Sequence, residues 1–174
     1  MIHTLRAMSA ASKPVPGGSA GTPGSSSLLQ SLPEGYTHPS VLIIEDHREV
    51  AESLRRVLEQ MRVYAVVSPD GEAALKMAAA MRFSLVILDV LLPRMNGFET
   101  CRALRNLPNM RDVPVLIVSC VTSPAAQAEG AALGAAHYLC KPFKLVEFQT
   151  QVERILIADA QRQARAQDGR ISRT

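Results

Sequence analysis

From Val41 onward the chain alternates between two textures: short unbroken apolar runs, and stretches in which apolar positions return every three or four residues. Val41-Leu-Ile-Ile-Glu45 is the first run and predicts a strand buried on both faces, ending in acids. Val50, Leu54, Val57, Leu58 and Met61 then fall on one face of an amphipathic helix over 48–61. A second strand is predicted over Val63–Val67, a turn at Ser68-Pro-Asp-Gly71 and an Ala-rich helix over Glu72–Met81. Leu85-Val-Ile-Leu-Asp89 is a third run that finishes on an acid. After a loop bracketed by Pro93 and Gly97, a helix over Phe98–Leu107 buries Phe98, Cys101 and Leu104 or Arg105 by turns.

Val115–Val118 predicts a fourth strand ending at Ser119. Pro124 suits the first turn of a helix through Leu133, closed by Gly134. Tyr138-Leu-Cys140 is the fifth strand, followed by Lys141-Pro142. A last helix starts near Lys144 and runs into the 160s, with Val146, Val152, Ile155 and Leu156 inward. Strands alternating five times with helices imply an α/β domain with a doubly wound parallel sheet.

Residues 1–37 have a different texture. KPVPGGSAGTPGSSS is almost free of core-forming side chains and is expected to be a disordered leader, with Leu28, Leu29 and Leu32 as a short docking turn at most. The first residues lack the continuous apolar run of a secretory signal, and no stretch reaches the length of a membrane span. The organisation expected is thus a leader over 1–37, a domain over 38–158 and a basic tail over 159–174, helical or disordered. Beyond Ile157 the helix has little apolar stripe, so fraying is expected there.

Charge changes this picture little. The net charge is +3, but residues 38–157 hold 13 basic and 13 acidic side chains, so the surplus lies in the tails. A neutral body lacks the concentrated footprint of a DNA-binding protein. The three cysteines, Cys101, Cys120 and Cys140, form no CxxC pair and read as reduced thiols of a cytoplasmic protein, small hydrophobes of the core.

In an open parallel sheet the site lies beyond the carboxyl ends of the strands. The residues at those ends are Glu45, Asp46, Asp89, Ser119 and Lys141. Three carboxylates in one cleft repel, by roughly 4 kcal/mol for a pair about 4 Å apart at an effective dielectric near 20. Such a cleft calls for a cation, and an all-oxygen set with open positions suits Mg²⁺. A carboxylate nucleophile, a metal and a lysine are the equipment of phosphoryl transfer, and Ser119 adds a hydroxyl donor.

At these residues the chain resembles the response regulator receiver family. The motifs are VLIIEDH (41–47), LVILDVLLPRMNG (85–97), VLIVS (115–119) and GAAHYLCKPF (134–143). The resemblance implies a flavodoxin-like three-layer sandwich with strand order 2-1-3-4-5. It also implies Asp89 as phosphoacceptor, taking its group from a histidine kinase or histidine phosphotransfer protein. Asp46 would bind Mg²⁺ directly and Glu45 through water, with Asp89 and the backbone carbonyl of Leu91 completing the metal ligands. Lys141 would hold the phosphate from a cis Lys141-Pro142 bond. Ser119 and Tyr138 would be the switch pair that alters the surface of the fourth helix, fifth strand and fifth helix. Leu91 and Val121 are apolar where many relatives are polar, flanking the path of an attacking water, so slow self-dephosphorylation is expected. Cys120 is expected to line the pocket by packing.

The resemblance leaves the output open. The few residues past the fifth helix are too short for a helix-turn-helix, and the segment before Tyr138 reads Ala-Ala-His, without the acids of regulators that dimerise on DNA. The expectation is a single-domain switch, not an enzyme acting on a separate substrate, that signals to a protein target. The alternatives are a receiver fragment of a larger regulator and a pseudo-receiver scaffold that works without phosphorylation.

Overall fold

The computed structural model describes residues 39–171, with side chains through 166. The expected leader, its three leucines and the last three residues lie outside that range. Within it the order is β1 (Ser40–Ile44), α1 (Arg48–Gln60), β2 (Tyr64–Ser68), α2 (Gly71–Ala80), β3 (Leu85–Leu88), α3 (Gly97–Arg105), β4 (Val115–Ser119), α4 (Pro124–Ala132), β5 (His137–Cys140) and α5 (Leu145–Ile171).

All five strands run parallel in the order β2-β1-β3-β4-β5, the doubly wound topology expected. The apolar runs work because alternate side chains go to opposite faces. Val41, Ile43, Leu85, Ile87, Leu116 and Val118 pack with Leu54 and Leu58 of α1 and with Phe148, Val152 and Leu156 of α5. Leu42, Ile44, Val86, Leu88, Val115 and Ile117 face Ala74 and Ala78 of α2, Phe98, Cys101 and Leu104 of α3, and Ala126 of α4. Two apolar layers on one sheet fix the register: slipping a strand by one residue would exchange its partners across the sheet.

Local signals set the helix starts. Asp70 accepts from the Ala73 N–H at 2.8 Å, Ser123 accepts from the Ala126 N–H at 3.3 Å, and Asn96 forms a reciprocal capping box with Glu99. Gly134 takes φ +74° behind α4, the left-handed position that the sequence assigns to it.

Two expectations fail. Val146 is 71% exposed, and Phe148 takes the inward position. The inner stripe of α5 runs Phe148, Val152, Ile155, Leu156, Ala160, and a residue two before Phe148 lies about 200° round the helix at roughly 3.6 residues per turn. Cys120, read as a core hydrophobe, is exposed, Cys140 is half-buried, and only Cys101 is enclosed. Cys120 stands one residue past the end of β4, where the strand's burial stops.

The stripe of α5 also passes Ile157: Asp159 and Ala160 are buried, and the helix continues to Ile171. Burial pushes the Asp159 carboxyl above its ordinary range, against donation from Arg162 at 3.1 Å and Gln163 at 2.7 Å. The folded chain therefore holds that proton more tightly than the unfolded one. The stability it contributes is full below the ordinary carboxylate range and is lost as pH rises through the raised value. Asp159→Asn keeps an acceptor and removes the loss. Its urea midpoint at pH 7 is expected to rise by the equivalent of roughly 0.5 kcal/mol, solvent screening included, with the gap closing as pH falls. A gap that is constant with pH would contradict this origin.

Candidate functional site

The carboxyl ends of β1, β3, β4 and β5 converge because parallel pairing places them side by side. Ile44 is in register with Leu88, Leu88 with Ile117, and Ser119 with Cys140. Residues at or just past those ends, Glu45, Asp89, Ser119 and Lys141, therefore meet in a common cleft. Glu45 and Asp89 are buried there, at 3% and 6% exposure, and Ser119 is fully enclosed.

Lys141 reaches in from the end of β5, across a cis Lys141–Pro142 peptide as the resemblance implied. Its Nζ donates to Glu45 Oε2 at 2.6 Å and to Asp89 Oδ2 at 2.7 Å. Asp89 Oδ1 accepts from the Leu91 N–H at 3.0 Å. Burial pushes the Asp89 carboxyl up, but donation from Lys141, the Leu91 N–H and Ser119 outweighs it and holds the group below its usual range. Burial likewise works against the Lys141 charge, and its bonds to Asp89 and Glu45 reverse that and raise it. Asp89 is thus an ionised, hydrogen-bonded carboxylate in a partly desolvated cleft.

The loop carrying Leu91 is pinned at both ends. Gly97 N–H donates to the Val90 carbonyl at 2.9 Å, closing residues 90–97 on themselves. Arg94 sits at φ +66° and pairs with Asp70, the cap of α2, at 2.6 Å. The Leu91 side chain points out, 57% exposed, while Val121 is half-buried beside Ser119.

Tyr138 does not stand out in solvent. Its hydroxyl donates to the Val121 carbonyl at 2.6 Å, and its ring packs over Gly130 of α4, where a Cβ would come within 3.2 Å of it. Burial pushes the phenol up. Ser119 Oγ accepts from the Val121 N–H at 3.3 Å, so the Val121 backbone joins Ser119 to Tyr138.

Asp46 is more open than Glu45 and turns to His47. His47 Nδ1 lies 3.0 Å from Asp46 Oδ1 and 3.4 Å from Glu45 Oε1. Ligand atoms of Glu45, Asp46 and His47 all fall within 4.8 Å of one another, the one such group among the described residues. Two carboxylates with an imidazole are a donor set that fits a divalent cation. Asp89 is outside this trio, and its oxygens are engaged by Lys141 and Leu91. His47 closes the VLIIEDH motif and stands at the N-cap position of α1, yet its side chain makes no capping bond.

A family model, the response regulator receiver domain, matches residues 41–153. The chain belongs to that family. This receiver is 37% identical over 116 residues to the response regulator MprA of Mycolicibacterium vanbaalenii, covering 67% of this chain and 49% of the relative. It spans about half the length of the curated relatives it matches. The chemotaxis protein CheY4 of Vibrio cholerae matches in structure with a TM-score of 0.66 at 30% identity, over 68% of this chain and 99% of that one. The non-phosphorylated HemR receiver domain of Leptospira biflexa gives 0.64 at 30%, over 68% and 94%. As a response regulator receiver, the chain is a signalling switch of two-component systems with the flavodoxin-like fold. Among the described residues no helix is long and apolar enough to cross a membrane.

Proposed function

We propose that Asp89 is the phosphoacceptor of this receiver, taking a phosphoryl group from the phosphohistidine of a kinase or phosphotransfer protein. The observation that carries it is the pair of bonds from Lys141 Nζ to Glu45 and Asp89, which holds a buried carboxylate ionised at the mouth of the sheet. An Asp89 oxygen attacks phosphorus, the bond to the donor histidine nitrogen breaks, and that nitrogen leaves with the electron pair. Lys141 then pairs with a phosphoryl oxygen, and Ser119 donates its hydroxyl to another. Asp46 would hold Mg²⁺ directly and Glu45 through water, with Asp89 and the Leu91 carbonyl as the further ligands. When bound, Mg²⁺ neutralises charge on the transferring group.

Ser119 and Tyr138 form the readout. A Ser119 drawn to the phosphoryl group gives up its bond with the Val121 N–H, and the backbone that holds Tyr138 moves with it. The expected target is a protein, and three unpaired thiols suit a cytoplasmic setting. A second reading, a receiver that works with a separate output domain, is favoured by relatives about twice the matched length.

The test is labelling by a phosphohistidine donor with and without chelator. Label that needs Mg²⁺ supports the proposal, and no label from any phosphodonor overturns it. A second expectation concerns lifetime. Leu91 and Val121 offer no side chain to hold a water for attack on the phosphoryl group. The aspartyl phosphate should persist for minutes to hours, and Leu91→Asn should shorten it. Loss within seconds in the unsubstituted chain would refute this account of the two positions.

A further inference from the structure

His47, the last residue of the VLIIEDH motif, gives the acid cleft a second side. Glu45 uses its two oxygens differently: Oε2 accepts from Lys141, while Oε1 faces the His47 ring and backbone N–H. Asp46 Oδ1 completes a triangle with them. We propose that His47 is a metal ligand of this cleft, and that it biases the site from Mg²⁺ toward borderline divalent transition ions such as Co²⁺, Mn²⁺ or Zn²⁺.

Three observations support it. The first is spacing. Two ligands cis on an octahedral ion with bonds of about 2.1 Å stand about 3.0 Å apart, and two on a tetrahedral zinc stand about 3.3 Å apart. The His47 contact to Asp46 is 3.0 Å, which matches the octahedral edge, with Glu45 Oε1 at 3.4 Å from the ring. Without an ion the same spacing serves a ring N–H···O bond, and a turn of the exposed ring brings the Nδ1 lone pair onto a shared ion.

The second is availability. His47 stands at the N-terminal cap position of α1, but its side chain makes no cap bond, and the ring is 73% exposed. An ion entering from solvent meets it before the enclosed Glu45. The third is donor chemistry. Mg²⁺ takes oxygen and keeps its waters, whereas imidazole nitrogen suits later divalent ions, whose affinity rises from Mn²⁺ through Co²⁺. An oxygen-only cleft has no nitrogen with which to discriminate in this way; this chain places one at its rim.

The inference rests on the reading of Asp46 and Glu45 as metal-side acids, and its test does not use phosphorylation. Co²⁺ and Mg²⁺ are titrated calorimetrically into the full chain, His47→Ala and Asp46→Ala, with Co²⁺ also followed by its visible absorption. The unsubstituted chain should bind Co²⁺ at least about tenfold more tightly than Mg²⁺. His47→Ala should lower the Co²⁺:Mg²⁺ affinity ratio by about tenfold and alter the Co²⁺ spectrum. Asp46→Ala should weaken both ions. A ratio and spectrum unchanged in His47→Ala would overturn the proposal, as would Co²⁺ binding indifferent to Asp46, which would put the ion on the thiols or another histidine. A chain that passes this test yet takes no phosphoryl label would sink the phosphoacceptor reading and leave His47 as a ligand.

Discussion

Asp89→Asn is expected to yield a folded chain whose labelling by a phosphohistidine donor falls roughly a hundredfold or more, since an amide oxygen is a poor nucleophile beside a carboxylate. The substitution keeps shape and an acceptor for the Leu91 N–H, and Lys141 retains Glu45 at 2.6 Å, so its charge is not stranded. That second partner makes the experiment clean. Removing one member of an isolated buried pair can cost about 3–5 kcal/mol and confound a loss of activity with a loss of fold. Here far-ultraviolet dichroism and the urea midpoint should remain close to those of the parent. Residual label at the parent's rate would move the acceptor to Glu45 or Asp46 and end the case for Asp89.

The largest effect on stability is expected at a residue with no side chain. A Cβ on Gly97 would lie well inside contact distance of the Asp89 carbonyl oxygen and 2.7 Å from the Val90 Cα. Both obstacles are backbone, and the Val90 carbonyl is tied to the Gly97 N–H. The first turn of α3 would have to leave the end of β3, taking the 90–97 loop with it. Gly97→Ala is therefore expected to cost about 3 kcal/mol, the upper range for overpacking, and to slow labelling at least about tenfold because the peptide after Asp89 shifts. Gly130→Ala is the control. Its new methyl meets Ile117 Cδ1 at 2.8 Å and the edge of the Tyr138 ring at 3.2 Å, both side chains that can move, and alanine favours the helix. A cost near or below about 1 kcal/mol is expected there. Similar urea midpoints for the two variants would show that the backbone contact at Gly97 yields freely.

The contrast between these glycines shows what could be read from the chain and what could not. The sheet was legible because each of β1, β3 and β4 is an apolar run long enough to bury both faces, and no solvent-exposed strand supports such a run. Glu45, Asp89, Ser119 and Lys141 were legible for a related reason: each interrupts or follows such a run where the topology collects strand ends. Phase was harder. Val146 and Phe148 lie about 200° apart on the helix, and it is Phe148, four residues before Val152, that continues the inward stripe. Cys120 fails for want of one residue, being apolar in kind but past the last paired position of β4. His47 and Gly97 act through separations in space, a carboxylate edge and a carbonyl oxygen, that no periodicity encodes. The obstacle at Gly97 needed the fold, since the backbone it meets belongs to Asp89 and Val90 at the end of β3.

The continuity of α5 has a mechanical consequence. From Leu145 to Ile171 it is one helix of 27 residues, a rod of about 40 Å at roughly 1.5 Å per residue. Its near end follows closely on Lys141, the residue that would meet a phosphoryl group. Its inner stripe from Phe148 to Ala160 is seated on the sheet, and about 16 Å of helix past Ala160 is carried beyond that seat. A rod seated this way carries its far turns at a set distance and direction from the sheet, so whatever engages them meets a fixed arm rather than a loose end.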